Sequence, residues 1–268
     1  MPASTINYLG EMGVRPVFYA QHTERNNLVL EPHRVEIADA RRLPEPPQLE
    51  TNGFTLVPHV TRVADFTDRE SSLPVYQKEI ERLILDLTGA QRVIVGNAVL
   101  RWSERAGDRS EFVNSHPARF VHVDYSRQSF VEFAQRHLAD ADDAEQWLAR
   151  RYVAYNVWRV TSPPPQDVPL AICDARTVSP ADVTEGDAVI DAPGVPEFRF
   201  GSSLFHFNQA HRWYYYPDMR PDEALVFKAF DRDGGRVQGC PHSGFDDPDC
   251  PDGVPPRSSV EIRAYVFF

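Results

Sequence analysis

The sequence predicts a mainly β fold with helical decoration, its sheet rolled into a barrel or sandwich, and three observations lead there. Proline is abundant, 23 residues against 14 glycines, a density that breaks long helices. The 16 phenylalanines favour pleated, half-buried surfaces. The segments also run as early strands, a helical insertion and a long series of late strands. Without βαβ alternation, a doubly wound parallel sheet is disfavoured.

From the N-terminus, Met1 to about Asp65 mixes short extended pieces, VRPVFYA and HRVEIADAR, with the proline-rich turns of RLPEPPQLETNGF. It reads as an arm, residues 1–65, packed on a core of residues 66–268, all in a single domain. In LPVYQKEIERLILDLTGA, the residues Tyr76, Ile80, Leu83, Ile84 and Leu87 form one apolar helical stripe, with Pro74 near its start and Gly89 suited to its end. RVIVGNAVLRW is a strand, followed by a polar loop. ARFVHVDYS is a second strand, and SRQSFVEFAQRHLADADDAEQWLARR one or two helices broken near Asp140. The late strands are YVAYNVWRVT, PLAICDA, AVID, SSLFHF, RWYYYP, ALVFKAF and SVEIRAYVFF. Between the last two, the Pro, Gly and Asp content of Asp246 to Gly253 suits a rim loop and not a central strand.

Charge and composition exclude some partners. With 28 Lys and Arg against 39 Asp and Glu, the net charge of −11 argues against nucleic acid as the main partner. No apolar run approaches the roughly 18 residues of a membrane helix, and the first residues lack a signal-peptide layout, so the expectation is a cytoplasmic protein without a membrane partner. The cysteines, Cys173, Cys240 and Cys250, form no C-x-x-C pair and suit a reducing compartment; an oxidised sample would allow only a disfavoured Cys240–Cys250 link.

The chemistry begins in the ARFVHVDYS strand. Side chains at i and i+2 leave the same face, so His122 and Asp124 project together while Val123 points away, as two metal ligands are presented. The plainer reading is a hydrogen-bonded histidine and an aspartate opening a helix. A third ligand is needed, and among the other histidines His242 stands out, because CPHSGFDDP is a turn-rich mouth or rim before the final strand. His206 and His211 are next in line, whereas His22, His33, His59 and His137 read as arm or helix-surface residues. Two imidazoles and a carboxylate form the facial triad of non-haem Fe(II) oxygenases, which leaves positions open for a chelating cosubstrate and dioxygen. Arg257, fifteen residues past His242, supplies a bidentate partner for a distal carboxylate, and Ser259 shares its face. Arg263 has the same parity but lies roughly 20 Å further along the strand, so it is expected to act through stability. H-x-D, a distant His, then R-x-S on the last strand is the ordered signature of Fe(II)/2-oxoglutarate oxygenases.

The segments LETNGFTLVPHVTRVADF, LTGAQRVIVGNAVLR, HVDYS, YNVWRV, PLAICDARTV, HRWYYYPDMRPDEALVFKAFD, PHSGFDDP and PRSSVEIRAYVFF run along most of the chain. In them the sequence resembles the fungal and bacterial hydroxylase/desaturase family that includes AsaB and the cephamycin methoxylase component CmcJ. The resemblance implies a double-stranded β-helix (jelly roll, cupin-like) with His122, Asp124 and His242 on Fe(II), 2-oxoglutarate and O2 as cosubstrates, and a small metabolite or amino-acid-like substrate. Hydroxylation, desaturation and oxidative cyclisation all remain open. The common family form near the distal ligand is HTAFDDP, so Ser243 and Gly244 put the shape of the pocket wall in question.

Two family strings carry further candidates. YNVWRV places Tyr155, Val157 and Arg159 on one face and Asn156 with Trp158 on the other, and either face lines a cavity by this reading; Asn156 and Trp158 are candidates for the cosubstrate and Arg159 for the substrate. In AHRWYYYPDM, His211, Trp213 and Tyr215 are candidate substrate contacts, against the reading that an aromatic strand is core. Two other functions compete: a zinc-dependent cupin-type hydrolase or isomerase with the same ligands, and a non-catalytic β-sandwich binding protein whose histidines satisfy buried hydrogen bonds.

Overall fold

The computed structural model describes residues 3–103, 114–192, 194 and 196–268. Two sheets enclose the interior, their strands numbered in chain order. The larger runs β1 (Ala3–Leu9), β3 (Leu30–Asp39), β12 (Trp213–Tyr215), β9 (Leu170–Cys173), β14 (His242–Gly244), β7 (His122–Val123), β11 (Phe198–Phe205), β10 (Val183–Ile190) and β2 (Val17–Tyr19). The smaller runs β4 (Phe54–Pro58), β13 (Glu223–Asp231), β8 (Tyr152–Val160), β15 (Ser258–Phe267), β5 (Arg92–Trp102) and β6 (Asn114–Ser115). Apart from the β10–β11 and β5–β6 pairs, most neighbours in each sheet are non-consecutive in the chain, the crossing pattern of a jelly roll and not of a meander.

β8 explains why this sheet has an inside. All nine of its residues are buried, because β13 and β15 flank it and both faces are covered. Its outer face, Val153, Tyr155 and Val157, joins Val260, Ile262, Ala264 and Val266 of β15. Against these packs α1 (Arg69–Thr88) through Tyr76, Ile80 and Ile84. The inner residues are those of opposite parity, and in register Arg263 lies opposite Asn156 and Glu261 opposite Trp158.

Helix ends follow their caps. The Asp68 side chain accepts from the Ser71 N–H, so α1 begins before Pro74, which lies inside the helix and not near its start as the sequence suggested. Gly89 ends it in the left-handed region, at φ 66°. α2 (Arg127–His137) opens on a capping box between Ser126 and Ser129. With α3 (Ala144–Ala149) following, the insertion is two helices. Phe130 and Ala134 of α2 close one end of the interior against Tyr152, Tyr265 and Phe267.

The N-terminal segment departs from the expected arm. It supplies β1, β2 and β3 to the larger sheet and β4 to the smaller, so the stretch from Ala3 to Pro58 is woven into both. Seven β1–β3 residue pairs and the pairing of β4 with β13 give these short pieces the backbone partners that their sequence alone cannot reveal.

Candidate active site

The H-x-D strand is shorter than its apolar run suggested: β7 is two residues long and Asp124 already leaves it. His122 is the cross-strand partner of His242, and the two imidazole centroids are 4.3 Å apart. Asp124 returns to the same inner side, and one potential ligand atom from each of the three residues lies within 4.8 Å of the others. All three are buried. His242 is therefore not on a rim loop, as its turn-rich surroundings suggested, but on a three-residue strand held between β7 and β9. Its sheet partners override the local composition.

Each imidazole is oriented from behind. His122 Nδ1 is 3.0 Å from the Phe120 carbonyl and His242 Nδ1 is 3.1 Å from that of Cys240. A carbonyl only accepts, so both Nδ1 atoms carry hydrogen and both Nε2 lone pairs are free for a cation. Burial, reinforced by the charge of the neighbouring imidazole, pushes His122 down to about 3, and burial also lowers His242. Both rings are thus neutral, as ligation requires.

Asp124 has the opposite problem. Burial favours its neutral form, but the Arg263 guanidinium, the two imidazoles and the Asn156 amide together outweigh burial and hold the carboxyl well below the usual range. Arg263 Nη2 donates to Oδ1 at 2.8 Å and Nε to Oδ2 at 3.2 Å, while the Asn156 amide donates to Oδ2. Arg263 also donates to Glu261 Oε1 at 3.0 Å.

Beside the imidazoles lies a narrow pocket lined by Arg257, Trp158, Glu261, His122, His242 and Gly244. Arg257 is 1 % exposed, and its Nε and Nη2 have no hydrogen-bond partner among the described residues; neither has Ser259 Oγ. The guanidinium carbon rests 5.5 Å from the Trp158 ring centroid. Asp167 accepts from the Arg257 backbone N–H at 2.8 Å, which fixes the start of β15. Gly244 is closely covered: a Cβ there would meet Val168 Cγ1 at 3.3 Å, so even a methyl would require its neighbours to shift. Ser243 turns its hydroxyl onto the Gly244 carbonyl.

A cavity of about 400 Å³ opens onto His122, Asp124 and Arg263 and is walled by Phe18, Val99, Phe120, Ala188, Ile190 and Phe200, with Arg101 on its polar side. A larger groove of about 900 Å³, lined by Arg41, Tyr215 and Glu223 among others, shares no lining residue with it. Asp246 to Gly253 is an irregular, mostly exposed segment, as composition indicated, tied to the cavity mouth by the Arg119–Asp246 ion pair.

Several expected contacts lie elsewhere. Arg159 is on the outer face of β8, where it donates to the Tyr76 hydroxyl and to the carbonyls of His59 and Pro221, so it does not face the cavity. Trp213 and Tyr215 pack behind the larger sheet with Val121 and Val123, the residues that point away from the His122 and Asp124 side. His211 spends both ring nitrogens, on Tyr8 and Asp182, and His206 does the same with Thr184 and the Leu9 carbonyl. Arg263, expected to act mainly through stability because of its distance along the strand, reaches the Asp124 carboxylate directly. Parity along β15 was the signal: 257, 259, 261 and 263 share one face. The cysteines are free thiols, Cys173 and Cys240 buried.

The family model for the oxidoreductase/YMDC permease-like domain matches residues 6–267. The Fe(II)/2-oxoglutarate-dependent dioxygenase nvfI of Aspergillus novofumigatus is 30% identical over 88% of this chain and 84% of its own. The hydroxylase/desaturase CTB9 of Cercospora beticola is 31% identical over 82% and 72%, and the hydroxylase/desaturase asaB of Aspergillus flavus 32% over 69% and 87%. A solved structure of the iron and alpha-ketoglutarate-dependent endoperoxidase NvfI superposes with a TM-score of 0.84 at 25% identity, covering 100% of this chain and 97% of the other. With its jelly-roll architecture and a match along nearly its whole length, the chain belongs to the hydroxylase/desaturase family of Fe(II)/2-oxoglutarate-dependent oxygenases.

Proposed function

We propose that the chain oxidises a small metabolite at one interior centre, with Fe(II) held by His122 Nε2, His242 Nε2 and Asp124, and that residues 1–268 act as a single catalytic unit. The observation that carries this reading is the pairing of two free imidazole lone pairs and a carboxylate with the unpaired donors of Arg257 and Ser259. A buried guanidinium without an acceptor is costly, and a carboxylate is the group that it fits. Arg257 and Ser259 are accordingly assigned to the far carboxylate of 2-oxoglutarate, with the Trp158 ring as the floor of that subsite.

Bound iron with 2-oxoglutarate and O2 supplies an oxidant able to take hydrogen from an unactivated C–H bond. The protein's own part is placement. Phe18, Val99 and Phe200 provide an apolar wall that keeps a substrate beside His122 and Asp124 and limits water there. The backbone carbonyls behind both imidazoles fix the ring tautomers. Hydroxylation, desaturation and ring closure share this machinery and differ in what becomes of the substrate after the first hydrogen is removed. No helix among the described residues is long and apolar enough to cross a membrane. The free thiols of Cys173, Cys240 and Cys250 suit a reducing compartment, and the reaction is assigned to the cytoplasm on that basis.

Anaerobic purification followed by Fe(II) and 2-oxoglutarate addition, with succinate release on exposure to O2, tests the reading. A panel of small metabolites then shows which one accelerates turnover. Stoichiometric zinc with no succinate formation would support the hydrolase alternative, and absence of any bound metal the non-catalytic one.

A further inference from the structure

Arg263 joins two carboxylates, and their positions give it two separable roles. Along the inner face of β15 the order is Arg257, Ser259, Glu261, Arg263. Glu261 is buried and lines the narrow pocket with Arg257; Asp124 lies on the other side of Arg263. One guanidinium thus bonds the carboxylate of the ligand set and the carboxylate in the wall of the cosubstrate pocket.

The Asp124 end is a question of lone pairs. A carboxylate has about four acceptor directions, two on each oxygen. Oδ2 receives Arg263 Nε and the Asn156 amide, and Oδ1 receives Arg263 Nη2. One direction remains, on Oδ1, the oxygen 4.0 Å from His122 Nε2. Bonded in this way, Asp124 has a single donor position left for a metal. A second carboxylate contact would occupy a position that a chelating cosubstrate and dioxygen need.

The Glu261 end is a question of charge. A buried carboxylate in the wall of a pocket built to take a dianion opposes binding unless it is neutralised, and the described cation bonded to it is Arg263. Arg257 Nε and Nη2 have no hydrogen-bond partner among the described residues.

We propose that Arg263, resting on the assignment of iron and 2-oxoglutarate above, is a positioning residue that restricts Asp124 to one-oxygen ligation and simultaneously screens 2-oxoglutarate from Glu261. The test compares wild type, R263Q, E261Q and R263Q/E261Q in two equilibrium measurements: Fe(II) affinity without cosubstrate, and anaerobic 2-oxoglutarate affinity at saturating Fe(II). R263Q is expected to weaken Fe(II) by roughly 10–100-fold, the usual effect of losing a partner behind a metal ligand. It should also weaken 2-oxoglutarate by about tenfold through the uncompensated Glu261 charge. Adding E261Q should restore 2-oxoglutarate to within about threefold of wild type and leave Fe(II) affinity where R263Q put it, a split that general loosening of the fold would not produce. Unchanged Fe(II) affinity in R263Q, or no recovery of 2-oxoglutarate in the double variant, overturns the proposal. If R263Q does not fold, R263K serves, keeping the charge and losing the fork: weaker Fe(II) with unaltered 2-oxoglutarate is expected, and unaltered Fe(II) refutes it. A wild-type protein that binds neither probe would instead sink the oxygenase site itself.

Discussion

Replacing Arg257 by methionine should separate cosubstrate affinity from fold stability in opposite directions. The side chain is buried, with two donors unpaired, and burial, aided by the nearby Arg101 charge, lowers it to about 9. A base with a lowered value in the folded state destabilises that state wherever it is charged. At neutral pH it is protonated in both folded and unfolded chains, so the penalty is fully present. That penalty is on the order of a few kcal/mol. Methionine fills much of the same volume without the charge, so the cosubstrate-free R257M protein should melt at or above the wild-type temperature. Its 2-oxoglutarate affinity should fall by roughly 10–100-fold, the equivalent of about 1.5–3 kcal/mol for hydrogen bonds to a charged group. Calorimetric titration of 2-oxoglutarate into the Fe(II) protein under argon measures the second effect. Melting with and without millimolar 2-oxoglutarate measures both, since ligand stabilisation scales as RT ln(1 + [L]/Kd). A variant with wild-type 2-oxoglutarate affinity would refute the assignment, and one that melts far lower would show that Arg257 has a structural partner.

Other outcomes follow from the same geometry. His242→Ala should abolish stoichiometric Fe(II) binding, while His211→Ala, which loses the Tyr8 and Asp182 contacts, should bind Fe(II) normally; metal titration of both variants checks this. Arg159→Met should cost about 3 kcal/mol in denaturant unfolding, because it removes a buried network on the outer face of β8, with Fe(II) and 2-oxoglutarate affinities unchanged. The metal-free protein should lose stability as pH falls from about 6.5 towards 3: the unfolded chain takes up a proton that the buried His122 refuses, so unfolding becomes easier in acid. His122→Gln should make that part of the stability profile shallower, with His242 accounting for part of the remaining slope.

What could be read from the sequence depended on whether the signal was local. The apolar stripe of α1, the unbroken run of β8 and the i, i+2 placement of His122 and Asp124 are short-range patterns, and each appears in the structure. The rim position expected for His242 came from neighbouring Pro and Gly residues, whereas its strand pairs with β7 and β9, more than sixty residues away in sequence. The aromatic strand at Trp213 gave no clue to which side of the sheet it faces, because a sheet with two covered faces needs apolar residues on both. YNVWRV left the choice of cavity face open for the same reason. Asn156 turns inward to Asp124, whereas Arg159 turns outward to Tyr76.

The final strand shows why spacing along a backbone is a poor guide to the reach of arginine. At about 3.3 Å per residue, the Cα atoms of Arg257 and Arg263 are roughly 20 Å apart, too far for both to serve one small site if the side chains stood straight out. They do not. Arg263 reaches Asp124, whose hydrogen-bonded partner Asn156 is its own cross-strand neighbour, and the Arg257 guanidinium sits against Trp158, the neighbour of Glu261. Each long side chain can lean along the strand by several ångströms, so the charged ends come closer together than the backbone does. The two arginines differ in what they have left to give, since Arg263 spends Nε and Nη2 on two carboxylates, whereas the same two nitrogens of Arg257 are buried without a partner among the described residues. Only an arginine with donors to spare suits an incoming dianion. Exchanging Glu261 for glutamine should therefore leave Arg263 on Asp124 and strengthen 2-oxoglutarate binding modestly. If affinity instead falls, Glu261 itself is helping to hold the pocket beside Arg257 in shape.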